Sequence, residues 1–279
     1  MVPLTLPQKQ GLALTWSIDE IAGVECLLAR ALRHHYGRHC HEGYAIGVIE
    51  AGVGGNRCRG ADHFTPAGTI VAMNPGEAHT GYTAGDAALS YRMLYISRSA
   101  MRVALPEGAG PPCFSDLSIE NPRWAARLRR LHRCLETSSD PIEKQSHFLA
   151  VIGRFSACFG GGAHPPRATR EPAAVGRVKA YLRANYDRPV SIDQLAGITQ
   201  LNRAHLMRTF TRTVGLPPYA YLTQIRVERA KAHLAAGRSP AETALVVGFA
   251  DQSHLNRHFK KLTGTTPRLY RLGHYRSRN

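Results

Sequence analysis

No apolar run in the 279 residues approaches the roughly 20 that a membrane-spanning helix needs, so no membrane partner is expected. The opening stretch, residues 1–10, lacks the apolar core of a signal peptide. Cysteine is scarce and unevenly placed. Cys26, Cys40, Cys58, Cys113, Cys134 and Cys158 are the six, none follows residue 158, and none forms a Cys-x-x-Cys pair. That excludes a disulfide-framed domain and fits reduced thiols in a cytosolic protein. A phosphate-cradling glycine loop and a nucleophile–base motif are also missing. Acidic residues are few, 20 against 36 Lys+Arg, for a net charge of +16. From Ala173 onward there are 18 basic and 5 acidic residues, +13, against +3 for everything before it. Basic charge gathered in the last hundred residues is what phosphate neutralisation requires. The plain alternative is a solvated basic surface with no partner.

What is present is a repeat. His205, Leu206, Arg208, Phe210, Gly215, Pro218 and Tyr221 recur 49 residues later as His254, Leu255, Arg257, Phe259, Gly264, Pro267 and Tyr270. Two copies of one unit are therefore expected. Each begins with a capping-box spacing, Ser191/Gln194 and Ser239/Glu242. In the second copy Gly248 suits a sharp turn and Asp251 suits a helix cap. Leu255, Phe259 and Leu262 then form one apolar stripe, with polar side chains on the other face. Helix, turn and polar-faced helix make a helix-turn-helix, predicted over 191–214 and again over 239–263. A long helix over about 218–236 would join the two. The turn position filled by Gly248 holds Gln200 in the first copy, where a positive φ costs more. The first turn is therefore expected to differ, or its second helix to sit less regularly.

These residues, with Leu195-Ala196, Arg226-x-x-x-Ala230 and Pro267-x-x-Tyr270-Arg271, resemble the DNA-binding domain of the AraC/XylS family of bacterial transcription regulators. The resemblance implies double-stranded DNA as partner, contact with RNA polymerase, and a cytoplasmic protein at the nucleoid. Base-edge candidates are Gln252, Ser253, Asn256 and Arg257 in the second reading helix, and Arg203, Ala204, Met207 and Arg208 in the first. Arg212, Lys260 and Lys261 lie further along and suit phosphate.

Upstream, residues 34–98 read as short strands broken by glycine. Tyr44–Glu50, Gly68–Met73 and Leu89–Ile96 are the clearest, preceded by candidate strands at 11–16 and 25–30. Gly52–Asn56, Thr65–Gly68 and Asn74–Gly76 read as turns. His39-Cys40-His41, Gly68 and Pro75-Gly76-x-x-His79 resemble the motifs of cupin barrels, the sensor type found in many AraC-family chains. That implies a ligand pocket, with His39, His41, Tyr44, His79 and Tyr91 as its candidates and a small-molecule effector as partner. His39 and His41 should point to one strand face and Cys40 to the other. Metal cupins add a glutamate a few residues after the second histidine. Here Glu42 follows at once, on the opposite face, and the next carboxylate is Glu50. No metal or other cofactor is expected on that count.

Two helices should follow, one from Asn121-Pro122 with Leu128, Leu131 and Leu135, the other from Asp140-Pro141 with Phe148, Ile152 and Phe155. They either cover the barrel or, as the resemblance implies, make a homodimer contact. The expected class is α+β in two domains: a cupin-like β domain over 1–120, the helical pair over 121–159, a glycine- and proline-rich linker over 160–172, and an all-α DNA-binding domain over 173–273. The function expected is a sequence-specific, non-enzymatic transcription regulator whose two helices read adjacent major grooves. The alternative is a cupin-type metal-dependent enzyme with an accessory helical domain.

Overall fold

The computed structural model describes residues 11–161 and 172–276. The expected linker falls mostly outside them, as do residues 1–10. Nine strands come first: β1 (Leu12–Ser17), β2 (Val24–Leu32), β3 (His35–His39), β4 (Tyr44–Ala51), β5 (Val53–Cys58), β6 (Ala61–Pro66), β7 (Ile70–Met73), β8 (His79–Ala84) and β9 (Leu89–Ile96). Helix α1 (Arg98–Ala104), the short β10 (Ser118–Ile119), α2 (Pro122–Thr137) and α3 (Pro141–Phe159) follow. Seven helices make the rest: α4 (Ala173–Ala184), α5 (Ile192–Thr199), α6 (Arg203–Val214), α7 (Pro218–Ala235), α8 (Pro240–Val246), α9 (Gln252–Thr263) and α10 (Pro267–Arg276). None of the described helices is long and apolar enough to cross a membrane.

The strands form two sheets facing one another, ordered β1-β2-β9-β4-β7-β10 and β3-β8-β5-β6. The larger sheet is buried on both faces, and strand alternation decides which side chain goes where. Ile46, Val48, Ile70 and Leu94 face α2 and α3, while Ala45, Ile49, Val71, Leu89, Tyr91 and Met93 face the smaller sheet. Two segments expected as turns belong in part to strands. Gly52–Asn56 runs into β5, and Thr65–Pro66 ends β6, with the turn itself at residues 67–68. The glycines of β5 serve close approach, not reversal. A Cβ at Gly54 would meet Thr65 Oγ1 at 2.7 Å, and one at Gly55 would strike the Tyr82 ring.

Both helices of the pair start as expected. The Asn121 side chain accepts from the Trp124 N–H and caps α2, and Asp140 does the same for α3 through Ile142 and Glu143. Phe148, Ile152 and Phe155 are wholly buried against the sheet with Leu128, Leu131 and Leu135. At about 1.5–3 kcal/mol per buried side chain, their packing on the barrel needs no second copy to hold the pair in place.

A polar clamp ties α2 down. Arg92 reaches Glu50 at 3.0 Å, Glu136 at 2.6 Å and His132 Nδ1 at 3.0 Å. Arginine can only donate, so His132 carries its proton on Nε2, which donates to the Leu27 carbonyl at 3.1 Å. Burial, and then the Arg92 charge, push the His132 pKa down to about 4. The unfolded chain takes up this proton near pH 6.5 and the folded chain only near pH 4. The stability that neutral His132 contributes is thus complete above pH 6.5 and lost as pH falls toward 4, by about 3 kcal/mol in all. Urea unfolding across that range should show His132→Gln with a shallower loss of stability with acid than the wild type, by about one proton.

Candidate DNA-reading helices and the barrel pocket

The repeat seen in the sequence is a repeat in structure. Helices α6 and α9 are each 12 residues long. Asn202 caps α6 by accepting from the His205 N–H, and Asp251 caps α9 by accepting from the His254 N–H. Each ends at a glycine in the left-handed region, Gly215 and Gly264. Both preceding helices, α5 and α8, carry the complete capping box. The stripe residues Leu206, Phe210, Leu255 and Phe259 are fully buried. Tyr221 packs edge-on against Phe210 at 5.7 Å, and Tyr270 does so against Phe259 at 5.4 Å.

Helix α7 serves both units. Its Tyr221, Leu222 and Ile225 enter the core of the first unit, and its Val227, Ala230 and Leu234 enter that of the second. Arg226 lies between these sets. It donates to the Tyr186 and Arg188 carbonyls at 2.7 and 3.0 Å, and stands 5.9 Å from the Phe249 ring centre. Two reading units thus share one continuous scaffold.

The first turn differs from the second, as expected: residues 200–202 separate α5 from α6, whereas residues 247–251 separate α8 from α9. Both pass through the left-handed region, Gln200 at φ +57° and Gly248 at φ +85°, so the shorter turn is built with the costlier residue, while α6 is as regular as α9. The recognition candidates lie on open faces. Arg203, Ala204, Met207, Arg208 and Arg212 are exposed on α6; Gln252, Ser253, Arg257 and Lys260 are exposed on α9, with Asn256 half-buried. Two are engaged in this arrangement. Arg203 pairs with Asp193 of α5. The stem of Lys261 lies on Gly37 of β3, which turns that lysine toward the barrel.

Between the facing sheets lies a partly open pocket of about 100 Å³. Its walls are mostly apolar, and one end carries Tyr36, His39, His41, His79, Tyr91 and Tyr95. Antiparallel pairing sets His39 opposite His79. The ring centres are 4.4 Å apart for His39 and His79, 4.9 Å for His39 and His41, and 5.1 Å for His41 and His79. Tyr36 and Tyr91 share a hydroxyl hydrogen bond of 2.6 Å. Burial, with His79 beside it, lowers the His39 pKa to about 3. His79 is lowered chiefly by burial, and His41 well below the usual histidine range by burial and then its two neighbours.

Of the five pocket residues expected, four line the cavity. Tyr44 does not. It shares strand parity with Ile46 and Val48, so it faces the helices, where its hydroxyl donates to the Pro112 carbonyl at 3.0 Å and its ring meets Phe114. Tyr36, Tyr95 and Leu262 went unforeseen. Leu262 comes from α9, so the end of the second reading helix closes part of the barrel pocket. Cys40 points away from His39 and His41, as expected, but not into the barrel. It joins the core of the first helical unit, where its N–H donates to Gln224 Oε1 of α7 at 3.0 Å. Further ties join the halves. Glu25 of β2 binds Lys231 of α7 at 3.3 Å and accepts from the Tyr270 hydroxyl of α10 at 2.6 Å. Ser17 and His274 meet at 3.1 Å. All six cysteines are free.

Residues 21–152 match the family described as the AraC-like ligand binding domain, and residues 195–273 match a helix-turn-helix domain. The chain belongs to the AraC family of transcription regulators. Its similarity extends over most of its length to the HTH-type transcriptional regulator YbfI of Bacillus subtilis, 26% identical over 244 residues that cover 86% of this chain and 89% of that one. The HTH-type transcriptional activator RhaS of Yersinia pestis is 23% identical over 249 residues, 86% of this chain and 90% of its own. Among solved structures, ToxT of Vibrio cholerae shares the two-domain fold, with a TM-score of 0.54 over 95% of this chain and 97% of that chain at 13% identity. A second ToxT structure, with bound unsaturated fatty acid, gives 0.55 over 95% of each chain at 12% identity. This AraC-family chain is a DNA-binding regulator with an N-terminal ligand-binding domain; nothing among these relatives favours the enzyme alternative.

The turn geometry makes a paired prediction. A methyl at Gly248 would sit 2.8 Å from the carbonyl oxygens of both Tyr186 and Asp187, at a φ that L residues avoid. Gly248→Ala should cost at least about 2 kcal/mol in chemical denaturation. Gln200→Gly should be neutral to stabilising by up to about 1 kcal/mol, because relief of the left-handed strain exceeds the added entropy of the unfolded chain.

Proposed function

We propose that α6 and α9 enter successive major grooves on one face of a DNA duplex, and that one protomer reads two unlike half-sites. The carrying observation is that two helices of equal length, identically capped and differently decorated, are fixed to the single helix α7. Their spacing on DNA is then about one turn, ~34 Å. On α9, Arg257 suits guanine O6 and N7, and Gln252 or Asn256 suits adenine. On α6, Arg208 and, once released from Asp193, Arg203 are the hydrogen-bonding readers, with Ala204 and Met207 against thymine methyls. Arg212 and Lys260 take phosphate.

The barrel supplies control in this reading. The pocket of about 100 Å³ is far below the ~300–1,000 Å³ typical of ligand sites, so a larger effector needs part of its wall to move. Leu262, at the end of α9, is one part of that wall. A ligand that binds the open arrangement better than the closed one therefore changes how the second reading helix is presented. ToxT has been solved with an unsaturated fatty acid; here the apolar walls and polar end suit a shorter amphipathic molecule. A homodimer through α3 fits the same reading, since Ile142 and Leu149 are exposed on it seven residues apart. Contact with RNA polymerase rests on family membership.

Selection from a randomised duplex pool at near-physiological salt should enrich one asymmetric site with two base clusters. Arg257→Ala should then relax one cluster only, at a cost of about 1–3 kcal/mol, whereas Lys260→Ala should weaken all sequences alike and lower the salt slope by about 1. Salt-sensitive binding with nothing enriched would refute sequence reading.

A further inference from the structure

We infer that His39, His41 and His79 form a site for one zinc-like divalent ion, held by three imidazoles with its remaining position open to the barrel cavity. The ligand atoms of the three residues lie within 4.8 Å of one another. Bonds of about 2.0–2.1 Å to a tetrahedral ion would draw them to about 3.4 Å, a small movement for side chains lining a cavity. The rings are already oriented. His39 Nδ1 lies 2.7 Å from the Gly37 carbonyl and His79 Nδ1 lies 2.8 Å from the Glu77 carbonyl. A carbonyl can only accept, so both histidines carry the proton on Nδ1 and leave the Nε2 lone pair free. This is how ligating histidines are usually fixed.

The nearby Lys231 is paired with Glu25 at 3.3 Å and Glu228 at 3.4 Å. The sequence expectation of no metal rested on a missing glutamate. Glu42 is indeed turned away, paired with Arg183, and Glu50 is held by Arg92. A three-histidine set needs no carboxylate, however, and leaves an open position. With three neutral ligands the ion keeps its full charge, so the ligand drawn to that position is an oxygen anion, such as the carboxylate of a small organic acid.

The test uses the untagged full chain, stripped with a chelator and titrated with Co²⁺ under visible absorption, then displaced with Zn²⁺. The expected result is one ion per chain, with a four-coordinate cobalt spectrum lacking a thiolate charge-transfer band. His39→Gln and His79→Gln, checked for folding by circular dichroism, should each weaken binding at least roughly tenfold; His63→Ala should leave it unchanged. Absence of stoichiometric uptake would overturn the proposal, as would uptake unaffected by either glutamine variant. A thiolate band that disappears in Cys134→Ala would also overturn it, placing the ion at the cluster of Cys134, Glu143 and His147. The wild-type spectrum alone decides between the two clusters should a histidine variant fail to fold.

Discussion

Everything in the C-terminal half depends on α7 being packed along its whole length. Its first half completes one helix-turn-helix core and its second half completes the other. Neither unit could keep its core if α7 bent away from it. Arg226, at the junction, adds a buried charge whose guanidinium is spent on two backbone carbonyls. Removing such a group leaves those carbonyls unsatisfied, which costs more than the net worth of the bonds themselves. The separation of the reading helices is therefore set by packing rather than by a tether.

The N-terminal half obeys a different constraint. Its larger sheet is buried on both faces, so each strand deals its side chains alternately to the helix-covered core and to the cavity. The cavity then meets the reading domain. Leu262 sits at the end of α9 and in the pocket wall, and Glu25 ties β2 to α7 and α10. Lys231 is mostly buried there; burial works against its charge, but Glu228 and Glu25 outweigh that and hold its pKa above the ordinary lysine value. A contact of this kind couples the halves only if its strength differs between two states of the pocket.

Much of this was legible in the sequence because it follows local rules. The 49-residue identities, the Ser191 and Ser239 capping boxes, the Asn-Pro and Asp-Pro helix starts and the strand Leu89–Ile96 all reappear in the structure. The histidine grouping was also foreseeable from the alternate spacing of His39 and His41. What escaped depends on partners distant in sequence. Gly54 and Gly55 look like turn residues until Thr65 and Tyr82 are seen against them. Tyr44 looks like a pocket residue until strand parity is fixed by the helices on the other face. Gln200 looks unsuited to a left-handed turn, yet the surrounding unit imposes it. No local pattern announces that Leu262 closes the barrel, because its helical stripe serves the α9 core equally well.

The most direct test of a rigid two-helix reader is the spacing of its half-sites. Starting from the selected duplex, five and ten base pairs would be inserted between the two clusters and affinity measured at fixed salt. A half-turn places the clusters on opposite faces of the duplex, and α7 cannot follow. The account predicts that either insertion reduces affinity to that of one half-site, with Arg257→Ala and the insertion no longer additive. Tolerance of both insertions would show two independently tethered readers and contradict the role given to α7.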